Sequence, residues 1–229
     1  MATTGICDSF KPEVMESAHC LNATVSTNGT THSNQVVDGL SSTAGLAVGM
    51  AASGGDISAS SVVESITSAT AITVSRTAGG STTSSRTYTG DACKLALVKV
   101  SPARTFDHTQ TNIGTPGSGT PSATNLGTDE IAASGTYSSG GMALTNVTPV
   151  LVTTTGVGTF SNVSITSATI STTAAIIYNN STRLGAAATP LNGRTISVHD
   201  FGGTQTVTSG TLTLTMPTAD ATNGLLRIA

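Results

Sequence analysis

The chain has 229 residues, no Trp, 3% aromatic residues, 9% charged residues and a net charge of −3, against roughly 25% charged residues in an ordinary soluble domain. Its surface must therefore be built from hydroxyls and small side chains, and contacts between subunits rather than surface charge are expected to support the folded state. The balance leaves no basic footprint for nucleic acid, and no apolar stretch reaches the roughly 18 residues of a membrane span.

The first residues, MATTGICDSFKPEV, have no basic region followed by an apolar one, so no signal peptide is expected. Synthesis in a cytoplasm is expected. The odd set Cys7, Cys20 and Cys93 predicts free thiols, with a Cys7–Cys20 bridge as the one pairing left open. The sequons at Asn22, Asn28, Asn146, Asn162 and Asn180 carry no meaning without secretion.

Residues 9–21, SFKPEVMESAHCL, place Phe10, Val14, Ala18 and Leu21 on one helical face, which predicts the chain's one helix. Asp8 or Ser9 stands at the cap, Pro12 in the first turn, and Glu13 and Glu16 suit the helix dipole. The next stretch is polar, and Asn28-Gly29 reads as a turn with a hairpin around it. Residues 36–90 read as a separate small β module with strands at Leu46–Met50, Ser61–Ser65, Ala71–Ser75 and Ser85–Thr89. Residues 91–100, DACKLALVKV, read as a buried strand with Leu95, Leu97 and Val98 inside. Pro102, Pro116, Pro121 and repeated Gly, Ser and Thr make 101–127 a long loop. Loops of that length are usually functional or disordered.

From Asp129 onward, short Thr/Val/Ile/Leu runs alternate with Gly, Asn, Asp and Pro, as in an antiparallel sheet protein. Gly140-Gly141, Asn179-Asn180, Asn192-Gly193 and Gly202-Gly203 are its expected turns, and a strand is expected over Thr195–His199. The run Leu225 to Ala229 reads as a last strand built into the sheet. The expected fold is all-β: an antiparallel sandwich or jelly-roll-like main domain over 91–229, an inserted small β module over 36–90, and an arm with a short helix over 1–35 that packs on the main domain.

Two resemblances follow from these residues. Gly45, Val48, Gly49, Ile57, Val62, Ser65, Ile66, Ser68, Thr70, Ile72, Thr73 and Ser75 follow a pattern that resembles a short β module of phage fibre and other virion proteins. The opening GICDSFKPEVMESAH resembles that of a family of tailed-phage virion proteins. There Cys7, Ser9, Phe10, Lys11, Glu13, Val14, Met15 and His19 match, and Ser17 stands where the family has Gly. The strand KLALVKV at 94–100 is similar to a family segment that carries an aromatic at the place of Val98. EIAASGTYSSGGMALTNVTP at 130–149 resembles the family's Glu, Gly-rich, Tyr and Gly-Gly signature. The segments at 175–181, 199–203 and 217–229 complete the likeness.

No catalytic residue, cofactor or metal site is expected. His19, His32, His108 and His199 are scattered, without the spacing that converges ligands on an ion. His199 and Asp200 are adjacent on a strand and so point to opposite faces, and no nucleophile elbow is present. Gly135 to Gly141 lacks the Lys and following helix of a phosphate loop. Asp107, Asp129 and Glu130 form no known Ca²⁺ loop. Tyr88, Tyr137, Tyr178 and Phe201 are too few for a sugar platform and are expected in the core.

The resemblance implies a structural role in a phage particle made in a bacterial host's cytoplasm. In a virion protein the long loop at 101–127 is expected to reach a neighbouring subunit. One role is a capsid decoration (cement) protein on the shell surface, holding the major capsid protein's capsomers together and acting as a homo-oligomer, expected to be a trimer. The other is a tail or fibre component that attaches to a host surface. Neither nucleic acid nor a membrane is an expected partner, and no enzyme activity is expected.

Overall fold

In the computed structural model, which describes residues 3–100, 105–182 and 191–228, the chain is all-β with antiparallel pairing throughout. The elements in order are β1 (Gly5–Ile6), α1 (Phe10–Met15), β2 (Val25–Thr31), β3 (Val36–Asp38), β4 (Ala51–Ser53), β5 (Ser61–Ser68), β6 (Ala71–Val74), β7 (Thr83–Thr89) and β8 (Cys93–Lys99). A single 3₁₀ turn (Gly127–Asp129) follows, then β9 (Met142–Ala143), β10 (Asn146–Val152), β11 (Thr155–Phe160), β12 (Val163–Asn179), β13 (Thr195–Leu214) and β14 (Leu226–Ile228). They form a closed barrel β2-β3-β6-β5-β4-β7, a five-stranded sheet β1-β13-β12-β8-β9 and a three-stranded sheet β10-β11-β14.

The helix is shorter than the apolar spacing predicts. Ser9 makes no side-chain cap bond, and the helix stops where Ser17 enters the left-handed region at φ 55°. Ser17 N–H then donates to Val14 O (3.0 Å) and Ala18 N–H to Glu13 O (2.9 Å), the paired bonds of a Schellman stop. A glycine at this position would take the left-handed conformation without the strain that a Cβ brings. Phe10 and Ala18 are nevertheless buried, so the predicted apolar face packs inward.

The barrel strands run from Val25 to Thr89, so β2 lies upstream of residue 36. Its core is Val37, Leu40, Leu46, Met50, Ala52, Ile57, Val63, Ile72, Val74 and Tyr88, with Cys20 at one end. Two expectations are corrected here. Asn28 and Gly29 are not a turn but the middle of β2, paired with Ser85 and Ser84. Gly29 is needed for space, since a Cβ there would stand 2.7 Å from the Leu40 side chain. Leu46–Met50 is not a strand, because Gly45 and Gly49 take φ of 82° and 91°; the strand begins at Ala51.

The two other sheets share one core. At its centre β12 pairs with β8 on one side and β13 on the other. Residues Ala174 to Tyr178 are buried without alternation, as in a strand covered on both faces. Earlier in β12 the inward residues are Val163 and Ile165, then Ala168 and Ile170. The change of phase occurs at Ser167, whose φ is 53°, where the register with β13 shifts. A bulge of this kind returns the apolar residues to the core face. Gly202-Gly203 lies inside β13 and is not the expected turn; Gly202 has φ 70°, opposite a further register shift between Thr172 and Ala174.

The described part of the long loop, 105–127, packs on its own chain: Phe106, Ile113 and Leu126 are buried in the main core. Thr3 N–H donates to Phe106 O (2.9 Å), Asp8 N–H to His108 O (2.8 Å) and Ile113 N–H to Gly193 O (2.9 Å). Residues 101–104, part of the predicted loop, lie outside the described residues.

Candidate functional site

With so few charges, each buried ionisable group marks a place where the fold has arranged specific partners. The largest such cluster lies where the barrel joins the main sheets. Glu13 comes from α1, His19 from just beyond the helix stop, Asp91 from the link between β7 and β8, Asn179 from the end of β12, and Arg194 from just before β13. His19 Nε2 stands 2.7 Å from Glu13 Oε2. Asn179 Nδ2 donates to Asp91 Oδ2 (2.6 Å) and lies 3.0 Å from His19 Nδ1. An amide nitrogen can only donate, so the network assigns Nδ1 as acceptor and puts the ring proton on Nε2, toward Glu13. Arg194 Nη2 donates to the other Glu13 oxygen. Cys20 N–H donates to Asp91 Oδ2 (2.9 Å), and Asp91 N–H donates back to Cys20 O (2.6 Å). The Phe10 ring packs on His19 with centroids 4.7 Å apart. Both His19 nitrogens are engaged, and its side chain is 1% exposed. The cluster ties the barrel's two chain crossings, at Cys20 and Asp91, to α1 and the end of β12.

A second cluster centres on Glu130, 2% exposed. Its carboxylate accepts from Tyr137 Oη (2.8 Å), Ser139 Oγ (2.9 Å) and Gly140 N–H (2.8 Å). Tyr137 Oη in turn accepts Leu97 N–H (2.9 Å), and Tyr178 Oη donates to Gly140 O. Burial, and then the Glu130 charge, raise both phenols above their usual range. The turn is pressed against β8: Gly141 has φ 85°, and a Cβ on it would stand 2.2 Å from Leu95 O. The Gly135–Gly141 stretch thus wraps the Glu130 carboxylate.

Inside the barrel, Arg86 is 0% exposed. Its Nη1 donates to Gly54 O (2.7 Å), and its Nη2 to Thr82 O (2.7 Å), Thr31 Oγ1 (3.3 Å) and Thr82 Oγ1 (3.2 Å). Among the described residues no carboxylate pairs with it.

The remaining candidates do not converge. His32 pairs with Asp38 (2.9 Å) and His108 with Asp8 (2.7 Å), all at the surface. Bonds from Lys11 and His108 hold the Asp8 carboxyl below its usual range. Asp107 accepts from Thr109 N–H (2.9 Å) and Thr109 Oγ1 (2.6 Å), which lower its pKa. Among the described residues no three His, Cys, Asp or Glu side chains come together around a metal position. Tyr88, Tyr137 and Tyr178 are core residues, and Phe201 packs against the main core. Cys7, Cys20 and Cys93 are buried thiols outside any disulfide; Cys7 lies in the main core and Cys20 in the barrel core. Burial pushes the Cys7 thiol up to about 11.

His199 is the exception in position. It lines two clefts, of about 650 and 470 Å³, and its Nε2 lies 2.8 Å from Ser197 Oγ. Residues two apart on a strand share a face, which brings Ser197, not Asp200, beside it. Yet Ser197 is 0% exposed, and among the described residues no carboxylate orients the imidazole as a triad requires. Burial pushes the His199 pKa down to about 4.

Sequence reasoning missed Asp91, Asn179 and Arg86. The available signal was scarcity: in a chain with 9% charged residues, an Asp or Arg set between strand-forming residues is a candidate for burial. Among the described residues no helix is long and apolar enough to cross a membrane. The chain matches no protein-family model, and no curated protein or solved structure shows significant similarity to it.

Proposed function

We propose that this chain is a structural protein of a tailed-phage virion, acting as a capsid decoration protein that binds the outer shell and stabilises contacts between capsomers. The observation that carries the reading is where the resembling residues sit. Phe10, Glu13 and His19 form the junction cluster, and Glu130, Tyr137 and Gly141 form the wrapped turn. The likeness therefore falls on the framework that sets the fold, rather than on interchangeable surface Ser and Thr. The surface fits the role as well. With 9% charged residues, it offers hydroxyls and backbone edges, which suit many weak contacts repeated over a lattice. The partners are the major capsid protein and further copies of the chain.

Cryo-electron microscopy of particles that encode this chain tests the reading. Many copies on the shell, at symmetry-related positions between capsomers, are the expected result. Density confined to the tail would replace it with the second reading, a tail or fibre component. The closed barrel favours that alternative, since it is a separate β unit of the kind that fibres carry.

A further inference from the structure

An antiparallel ladder leaves unpaired N–H and C=O groups at its edges, and proteins blunt such edges with Pro, charges, bulges or short strands. Most edges here are blunted. β1 and β9 have two residues each and β14 has three. β10 contains Pro149 and a register irregularity between Val147 and Val150. The outer edge of β13 is different. β1 covers only Ser197 and Val198, and Thr4 Oγ1 accepts Asp200 N–H (2.9 Å). From Gly203 to Leu214, among the described residues, nothing outside the β12–β13 ribbon bonds to this backbone. The stretch FGGTQTVTSGTLTLTM, 201–216, holds neither a charge nor a Pro. Thr204, Thr206, Thr208, Thr211 and Thr213 are exposed along it. The left-handed Ser209, φ 49°, and a register irregularity between Val207 and Gly210 bend this edge as well and leave two regular runs, 203–207 and 210–214.

We infer that this edge, Gly203–Leu214, is a strand-pairing surface and that it takes the same edge of a second copy of the chain, antiparallel. Unpaired backbone in β conformation selects an extended strand as its occupant. The absence of charge selects the copy. In an antiparallel two-fold contact residue i faces residue j and j faces i, and both strands carry the same net charge, so an edge with a net charge would repel its copy across the ladder. An edge meant for a different protein has no such restriction and gains specificity from complementary charge. Threonines facing threonines also pair favourably across strands. The contact joins two long ribbons into one continuous sheet. It makes pairs of chains; a threefold assembly would use another surface in addition. The inference does not rest on the virion reading.

Sedimentation velocity and hydrogen exchange on the full chain test it together. The 22.6 kDa chain is expected to sediment as a dimer, with amides of 203–214 slow to exchange in the dimer and fast on dilution. The double variant Thr206→Lys/Thr208→Lys places charges at exposed positions and is expected to weaken association by about tenfold or more, while keeping the circular dichroism of the parent. A monomeric parent at every concentration overturns the inference. So does an oligomer in which 203–214 exchanges at the monomer's rate, a lysine variant that associates as tightly as the parent, or protection of this segment that appears only with a different protein.

Discussion

The barrel and the main sheets each bury one charge that, among the described residues, has no counter-ion, and both hold it with dipoles. Arg86 in the barrel ends on carbonyls and hydroxyls, and Glu130 in the main unit ends on hydroxyls and an amide. They differ in reach. Arg86 gathers Gly54 after β4, Thr31 at the end of β2 and Thr82 before β7, so one side chain ties three separate parts of the barrel wall. All three of Glu130's partners lie within the turn 137–140, so that charge shapes one turn and presses it on β8. A buried charge in this chain is a way of fixing loop geometry, and what its loss undoes depends on how many segments it gathers.

The comparison breaks most directly at Arg86. Arg86→Leu removes all four bonds that the guanidinium donates to the barrel wall, which is expected to cost about 3–5 kcal/mol even though Gly54 O and Thr82 O keep the N–H groups of Ile57 and Thr31. Hydrogen exchange should then rise throughout β2–β7 while β8 and β12 stay protected; equal loss in both units would show that Arg86 supports more than the barrel. Glu130→Ala leaves Tyr137 Oη and Gly140 N–H without an acceptor and is expected to cost about 2–4 kcal/mol, read by denaturant midpoint, with Glu130→Gln intermediate. Exchange should rise first in 134–144. If the loss spreads evenly over the barrel, the assignment of a local role to Glu130 fails.

A smaller effect comes through pH. Burial holds His199 at about 4, below its ordinary 6.5, so the unfolded chain takes up the proton first on acidification. The stability of the neutral ring is complete above about pH 6.5 and is lost as pH falls toward about 4, a change of about 1–3 kcal/mol. His199→Gln should flatten the main unit's melting temperature over that window and leave the barrel's unchanged. The smallest effect is at the helix stop. Ser17→Gly relieves a left-handed serine and is expected to raise stability by up to about 1 kcal/mol. A loss instead would mean that the Ser17 side chain contributes more than its backbone strain costs.

Much of the fold was legible where one physical signal dominated. β8 was readable from Leu95, Leu97 and Val98 as a short apolar run, and β5, β6 and β7 from β-branched runs between turns. The failures share a cause. Gly is ambiguous between a turn, a bulge and a place of close packing, and its role depends on distant neighbours. Gly29 faces Leu40 inside a strand, Gly202 kinks β13 without ending it, and Gly45 and Gly49 end what alternation suggested was a strand. The buried loop was hidden for another reason. Phe106, Ile113 and Leu126 have no period, and only the folded chain shows that they share a core. The clusters were legible as individual residues, but not as clusters, because Glu13, Asp91 and Asn179 meet across sequence separations that no local pattern encodes.

The mutual bonds of Cys20 and Asp91 bear on the order of folding. They close a loop that contains the whole barrel, and an unstructured loop of that length makes closure entropically costly. Once the barrel has formed, β2 and β7 lie paired from Val25↔Tyr88 onward, and the two ends already stand together. The barrel therefore acts as a folding clip: it forms from contacts internal to residues 25–89 and then presents Cys20 and Asp91 to the main sheets nearly assembled. On this account Arg86→Leu should slow refolding of the entire chain in stopped-flow experiments, whereas Glu130→Ala should mainly speed unfolding. Unchanged refolding in the Arg86 variant would mean that the main sheets assemble first and bring the two crossings together themselves.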